Sequence, residues 1–156
     1  MVKILFVCLG NICRSPMAEF IFKDMIKRKG LENQFFIDSA ATSDYNEKNK
    51  NSIYYEAQDV LNKNNIIFYN RISKQMKKDD YYKFDYILTM EEENIKNILK
   101  IIGNDTEKKV FKLLDFTQNP RDIIDPWYYG DFNATYEDIK YGCEQFLEHI
   151  LNKDTE

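Results

Sequence analysis

Near the start of the chain, the stretch "CLGNICRSP" (residues 8–16) sets a cysteine, Cys8, and an arginine, Arg14, five intervening residues apart. A turn needs the glycine and asparagine, but it has no use for the cysteine and arginine. What such a pair suits is a thiolate held beside a fixed positive charge. Backbone N–H groups of Leu9, Gly10, Asn11, Ile12, Cys13 and Arg14 can point into the loop, and a helix starting behind it adds partial positive charge. Arg14 supplies a planar fork matched to two phosphate oxygens. The same surroundings favour the thiolate form of Cys8, so no histidine base is needed. The one histidine, His149, falls far away near the chain's end and reads as a surface or stripe-edge residue.

The remaining cysteines narrow the chemistry. Three is an odd count, and Cys8 and Cys13 share one short loop, which is neither a disulfide framework nor a metal-ligand spacing. A single histidine leaves little to complete a zinc site, so no metal and no cofactor is expected. A reducing, cytoplasmic setting fits this usage. Cys143 falls on an apolar stripe and reads as core packing.

The elements that must hold the loop are legible on either side of it. Residues 3–7 (KILFV) read as a strand buried on both faces. Pro16 fits the first turn of a following helix, with Ser15 as its cap and Gly30 at its end. "FFIDSA" (35–40), "FDYILTM" (84–90) and "KVFKLLDF" (109–116) read as further strands. Helices are expected over 52–63, with Tyr55, Val60 and Leu61 inward, over 91–102, and over 134–152. "NEKNKNS" (46–52) reads as a solvated, mobile connection. Strands alternating with helices predict a parallel sheet with helices on both faces, and ligands then bind beyond the strands' carboxyl ends, where Cys8 falls.

Composition sets outer bounds. The 156 residues suit one domain spanning 1–156, with 44% hydrophobic and 31% charged residues. No apolar run approaches the roughly 20 residues of a membrane span. The first residues lack a small-residue cleavage site and read as a core strand rather than a signal peptide. A net charge of −4 gives no electrostatic footprint for nucleic acid.

"VCLGNICRSPMAE" (7–19) resembles the signature of the low-molecular-weight protein tyrosine phosphatases, which place C-x5-R-S at the start of the chain. "DSAATSD" (38–44), "FDYILTM" and "DPWYYGDF" (125–132) resemble the family's later blocks in order and separation. The resemblance covers essentially the whole chain. It implies a four-stranded parallel sheet flanked by helices, with a phosphate-binding loop after the first strand. It also implies hydrolysis of phosphotyrosine in proteins or peptides, with Cys8 as nucleophile, Arg14 as clamp and Asp125 as general acid and base. Pro126 would bias Asp125 to extended backbone and stiffen its loop. Ser15's counterpart hydrogen-bonds the sulfur, while Asn11 and Ser39 match positions that brace the loop. Tyr45, Trp127 and Tyr128 match positions beside the substrate ring, although for Tyr45 an ordinary surface aromatic is the competing reading.

Two departures stand out. The family's mid-chain histidine is missing from "FYNRISKQ" (68–75), which keeps Arg71, so the bracing must come from elsewhere. Asparagines and lysines also replace the family's Pro and Gly after Tyr45. The same loop occurs in relatives that dephosphorylate arginine, where the position of Ile12 resembles a threonine. An isoleucine offers no partner to a guanidinium and so favours a phenyl ring. Arsenate reduction in this lineage needs a further cysteine pair in the second half, where only Cys143 lies. A non-catalytic phosphopeptide-binding module would be expected to lose Cys8, Arg14 or Asp125, and all three are present. Family members can also close a disulfide between the positions of Cys8 and Cys13, the alternative being Cys13 as inward filler.

Overall fold

The apolar run Ile4–Val7 is unbroken because the strand it forms is covered on both faces. The computed structural model describes residues 1–153. Strand β1 (Val2–Cys8) lies inside a four-stranded, all-parallel sheet with β2 (Phe35–Ala41), β3 (Tyr86–Thr89) and β4 (Val110–Lys112), in the order β2–β1–β3–β4. Cys8 pairs with Ala41 and Val7 with Thr89, which puts Cys8 at the sheet's carboxyl edge. The chain leaves β1 toward β2 on one side and returns as β3 on the other. The crevice between two such diverging connections is where open α/β sheets bind ligands.

Seven helices surround the sheet among the described residues: α1 (Arg14–Arg28), α2 (Tyr45–Lys48), α3 (Tyr55–Lys63), α4 (Asp80–Lys83), α5 (Glu92–Ile102), α6 (Pro126–Tyr129) and α7 (Phe132–Lys153). The two-residue period of β1 divides the core. Ile4, Phe6 and Cys8 join the cluster made with α1, α3 and α7, whereas Leu5 and Val7 join the one beneath α4 and α5. Cys8 therefore faces α1. On that side Phe22 meets Phe6, Phe35 and Phe146 at 5.7–5.9 Å between ring centres. Gly142 lets α7 press on the end of β4, because a Cβ there would come within 2.6 Å of Leu113.

Several sequence expectations need correction. Cys13, not Ser15, occupies the cap position of α1, without a side-chain bond, and Ser15 lies in the first turn. The fourth strand stops at Lys112. Residues Leu113–Phe116 wind into a 3₁₀ turn that buries both leucines, and the Asp115 carboxylate closes it by accepting from Lys112 N at 3.0 Å. The third strand keeps only Tyr86–Thr89, while α7 begins at Phe132 and runs to Lys153. Tyr55 points outward, with 60% of its surface exposed. Its helix begins at Tyr55 and buries Ala57, Val60 and Leu61, and a residue two before Ala57 is on the opposite side of a 3.6-residue turn. The 46–52 segment is anchored rather than a free solvated connection. Its first residues form α2, Asn46 is buried, and Asn51 Nδ2 donates to Asn46 Oδ1 at 2.7 Å. His149 is exposed at the edge of α7, against Phe116.

Candidate active site

The Cys8 sulfur is the convergence point of the loop. Backbone N–H groups of Asn11 and Ser15 donate to it at 3.2 and 3.4 Å, and the Ser15 hydroxyl lies 3.1 Å away. That hydroxyl accepts from Asn11 Nδ2 at 2.7 Å and from the Cys8 thiol, and it donates to Ala40 O at a long 3.4 Å, a bond its proton would exchange for one to the sulfur once Cys8 is a thiolate. Asn11 adopts φ 56°, the left-handed region that asparagine tolerates better than most residues. This turn aims its N–H inward and its carbonyl outward.

The outward carbonyls are held by other segments. Arg71 Nη2 donates to Asn11 O at 2.9 Å; Ser73 Oγ and Asn46 Nδ2 donate to Gly10 O at 2.8 and 2.9 Å. Asn46 comes so close that a Cβ at Gly10 would meet it at 2.7 Å. Asn11's own amide closes the network: Lys74 N donates to its Oδ1 at 3.3 Å, and its Nδ2 also donates to Ser39 Oγ at 3.0 Å. Ser39 in turn donates to Glu19 at 2.6 Å, whose buried carboxylate pairs with Lys23. Residues Arg71, Ser73 and Lys74 thus do the bracing in a chain that lacks the expected histidine. Burial presses the Arg71 guanidinium below its ordinary value, against the opposing pull of Glu19 and Cys8.

Arg14 is 1% exposed. Nη1 donates to Ile123 O at 2.8 Å, and Nη2 reaches Glu91 Oε1 at 3.2 Å and Asp125 Oδ2 at 3.4 Å. These contacts engage three of its five N–H donors, so donors remain for an anion. Burial alone would lower its pKa, but the negative charges of Cys8, Asp125 and Glu91 outweigh that and raise it. Glu91 is itself fixed as the cap of α5 by a reciprocal bond with Asn94. Asp125 caps α6, with Pro126 at its first position, and its Oδ1 accepts from Trp127 N at 3.0 Å. The loop before it is pinned to β3's end by Ile123 N, which donates to Met90 O at 2.8 Å.

A cavity of about 620 Å³ opens over this floor. Cys8, Leu9, Gly10, Ile12, Cys13, Arg14 and Asp125 line it below, and Tyr45, Trp127 and Tyr128 line its mouth. Asn11, Ser15 and Ser39 lie behind the loop rather than in the cavity wall. Cys13 is buried, and burial followed by the charges of Cys8 and Asp125 pushes its thiol well above the ordinary range. Cys143 is fully buried in α7's core face.

Sequence reasoning missed Glu91, Asn46 and Tyr54. Glu91 carried a signal, a cap residue three before an asparagine at a helix start. Asn46 was hidden in a stretch whose composition reads as solvent-facing. Tyr54 had no distinguishing mark in a chain with 15% aromatics. It lines the cavity, its N–H donates to Ile12 O at 2.9 Å, and its ring meets Trp127 at 4.6 Å.

A buried thiol at the carboxyl edge of a doubly wound sheet, ringed by inward amides and an arginine, defines a phosphate-handling site of the cysteine-dependent kind. Residues 3–156 match the family model described as low molecular weight phosphotyrosine protein phosphatase. The chain is 39% identical to the low molecular weight protein-tyrosine-phosphatase YfkJ of Bacillus subtilis over 96% of each chain. It is 40% identical to the Gallus gallus low molecular weight phosphotyrosine protein phosphatase over 94% of each. The crystal structure of YfkJ matches with a TM-score of 0.93 at 38% identity, covering 98% of this chain and 96% of that one. The Drosophila arginine phosphatase DARP matches at 0.83 and 30% identity, over 96% and 98%. The chain belongs to the low molecular weight protein tyrosine phosphatase family, and it is a hydrolase of that class.

Proposed function

We propose that this protein hydrolyses phosphotyrosine through a cysteinyl-phosphate intermediate. The observation that carries the reading is the convergence of two backbone N–H groups and the Ser15 hydroxyl on Cys8 Sγ, with Arg14 holding Asp125 at 3.4 Å. Cys8 attacks phosphorus in line, so an S–P bond forms as the P–O bond to the phenol breaks. Arg14 and the loop amides hold the equatorial oxygens, which carry the charge during transfer. Asp125 gives its proton to the leaving phenolate. The resulting carboxylate takes a proton from water, the water oxygen bonds phosphorus, and the S–P bond breaks to release phosphate and thiolate. The Ser15 hydroxyl supports the departing sulfur.

Ile12, in the cavity wall and packed against the core, supports a phenol rather than a guanidinium as the leaving group. It leaves a guanidinium's N–H groups unpaired at roughly 1–3 kcal/mol. Phosphoserine is too short to bring its phosphate down to Cys8, which is buried. The substrates are thus phosphotyrosine-containing proteins or peptides. The three free thiols fit a reducing, cytoplasmic compartment. Among the described residues no helix is long and apolar enough to cross a membrane. Matched phosphotyrosine, phosphoserine and phosphoarginine peptides, assayed by phosphate release, test the reading. Phosphotyrosine is expected to dominate, and a preference for phosphoarginine would overturn it.

A further inference from the structure

The cleft has more aromatic surface than one phenyl ring needs. Four exposed aromatic side chains crowd its mouth: Tyr45, Tyr55, Trp127 and Tyr128. Apolar surface gathered in this way around one opening marks a place where something docks. A cavity of about 620 Å³ lies within the range of ligands larger than a phosphorylated phenol.

The arrangement of the rings is specific. Tyr54 meets Trp127 edge-on at 4.6 Å, touches Tyr55 at 4.7 Å and stacks on Phe132 at 5.8 Å. Its backbone N–H donates to Ile12 O. A continuous wall Tyr55–Tyr54–Trp127 is therefore tied to the phosphate loop at one point and to the acid loop at another. Tyr54 and Phe132 back the wall, leaving Tyr55 and Trp127 with free ring surface beyond it.

Charge at the mouth points the same way. Among the described residues Arg14 is the only cation lining the cavity, and it is buried at the floor. Lys48 and Lys77 nearby are taken up by Asp44 and Glu47. Glu56 accepts from the Tyr55 hydroxyl at 3.2 Å and makes no ion pair among the described residues. Among the described residues the mouth's own lining thus offers rings and no cation, while Lys50, next to the lining residue Asn51, is exposed and makes no ion pair.

We propose that Tyr55, with Tyr54 and Trp127, forms a second aromatic subsite that takes an apolar or aromatic residue flanking the substrate's phosphotyrosine. The inference rests on the phosphotyrosine reading above and adds sequence preference to it. The test measures kcat/KM on matched phosphotyrosine peptides whose flanking positions carry Phe, Leu, Ala, Asp or Arg, with phenyl phosphate as a substrate that has no flanks. The Phe peptide is expected to exceed the Ala peptide by about fivefold, the scale of one aromatic contact, and the Asp peptide to fall below it. Tyr55→Ala should bring the Phe-to-Ala ratio close to one, and Tyr55→Phe should keep it. Equal rates on all peptides, an Asp preference, or an unchanged ratio in Tyr55→Ala would overturn the subsite while leaving the phosphotyrosine reading in place. Activity on phenyl phosphate but on none of the phosphotyrosine peptides would overturn both.

Discussion

The phosphate loop and the rim above it are built on opposite plans. In the loop, Asn11, Arg14 and Ser15 are almost wholly buried, and every outward carbonyl named above meets a donor from another segment. At the rim, Tyr45, Tyr55, Trp127 and Tyr128 are exposed, and Tyr55 and Trp127 are held by ring contact with Tyr54. The difference separates two tasks. Stabilising charge in a transition state needs dipoles fixed beforehand in a dry site. Receiving varied protein surfaces needs area that is sequence-tolerant, and aromatic faces supply it at low entropic cost.

If the comparison is right, damage to the loop should stop chemistry, whereas damage to the rim should reorder substrates. The largest effect is expected for Cys8→Ser, a loss of about 10³-fold or more in turnover, with vanadate binding retained because the amides and Arg14 remain. A variant keeping a tenth of the activity would exclude the covalent route. Arg14→Lys should fail nearly as badly, since an ammonium cannot replace the fork that also holds Ile123 O and Asp125.

Asp125→Asn should cost about 10²–10⁴-fold with an ordinary phenol as leaving group. With a very acidic phenol the loss should shrink. A series of aryl phosphates measures that slope, and a loss independent of the leaving group would remove Asp125 from the acid role.

Arg71 sharpens the comparison because it is outside the cavity. Arg71→Ala leaves Asn11 O without its donor, a cost of about 1–3 kcal/mol. We expect roughly a tenfold fall in kcat with KM little changed, and partial recovery in Arg71→Lys. A fall in thermal stability with kcat unaltered would make Arg71 structural only.

Cys13 belongs to the loop by position but has its thiol held protonated by burial. Its thiolate fraction therefore grows as pH rises above neutral. After peroxide converts Cys8 to sulfenic acid, attack by Cys13, which expels water and forms the disulfide, should speed up with pH. Recovery in dithiothreitol that is the same in Cys13→Ser would assign Cys13 to packing. The smallest effect belongs to Ile12→Thr, a few-fold rise in the ratio of phosphoarginine to phosphotyrosine activity, on the scale of one neutral hydrogen bond.

Much of this was readable in the chain because its signals are local. The spacing of Cys8, Arg14, Ser15 and Pro16 belongs to one continuous stretch, and the unbroken apolar run before it marks a strand covered on both faces. The order of the four strands and of the four longer helices followed from periodicity, which adjacent residues carry among themselves, whereas the four-residue helices α2, α4 and α6 are too short to show one. Where local signals misled, a distant contact had intervened. Residues 113–116 left the strand conformation to bury two leucines against α7, and Ser15 gave up capping for the sulfur of Cys8.

The sequence by itself determined the family, the loop that carries Cys8 and Arg14, and the sheet that presents it. Only the tertiary structure decided how the loop is held and what surrounds its mouth. Glu91 reaches Arg14, Arg71 reaches Asn11, and Tyr54 meets Trp127 across chain separations of about 60 to 77 residues. No periodicity spans such distances. Those partners are chosen by which carbonyls and rings the folded backbone leaves unsatisfied beside them.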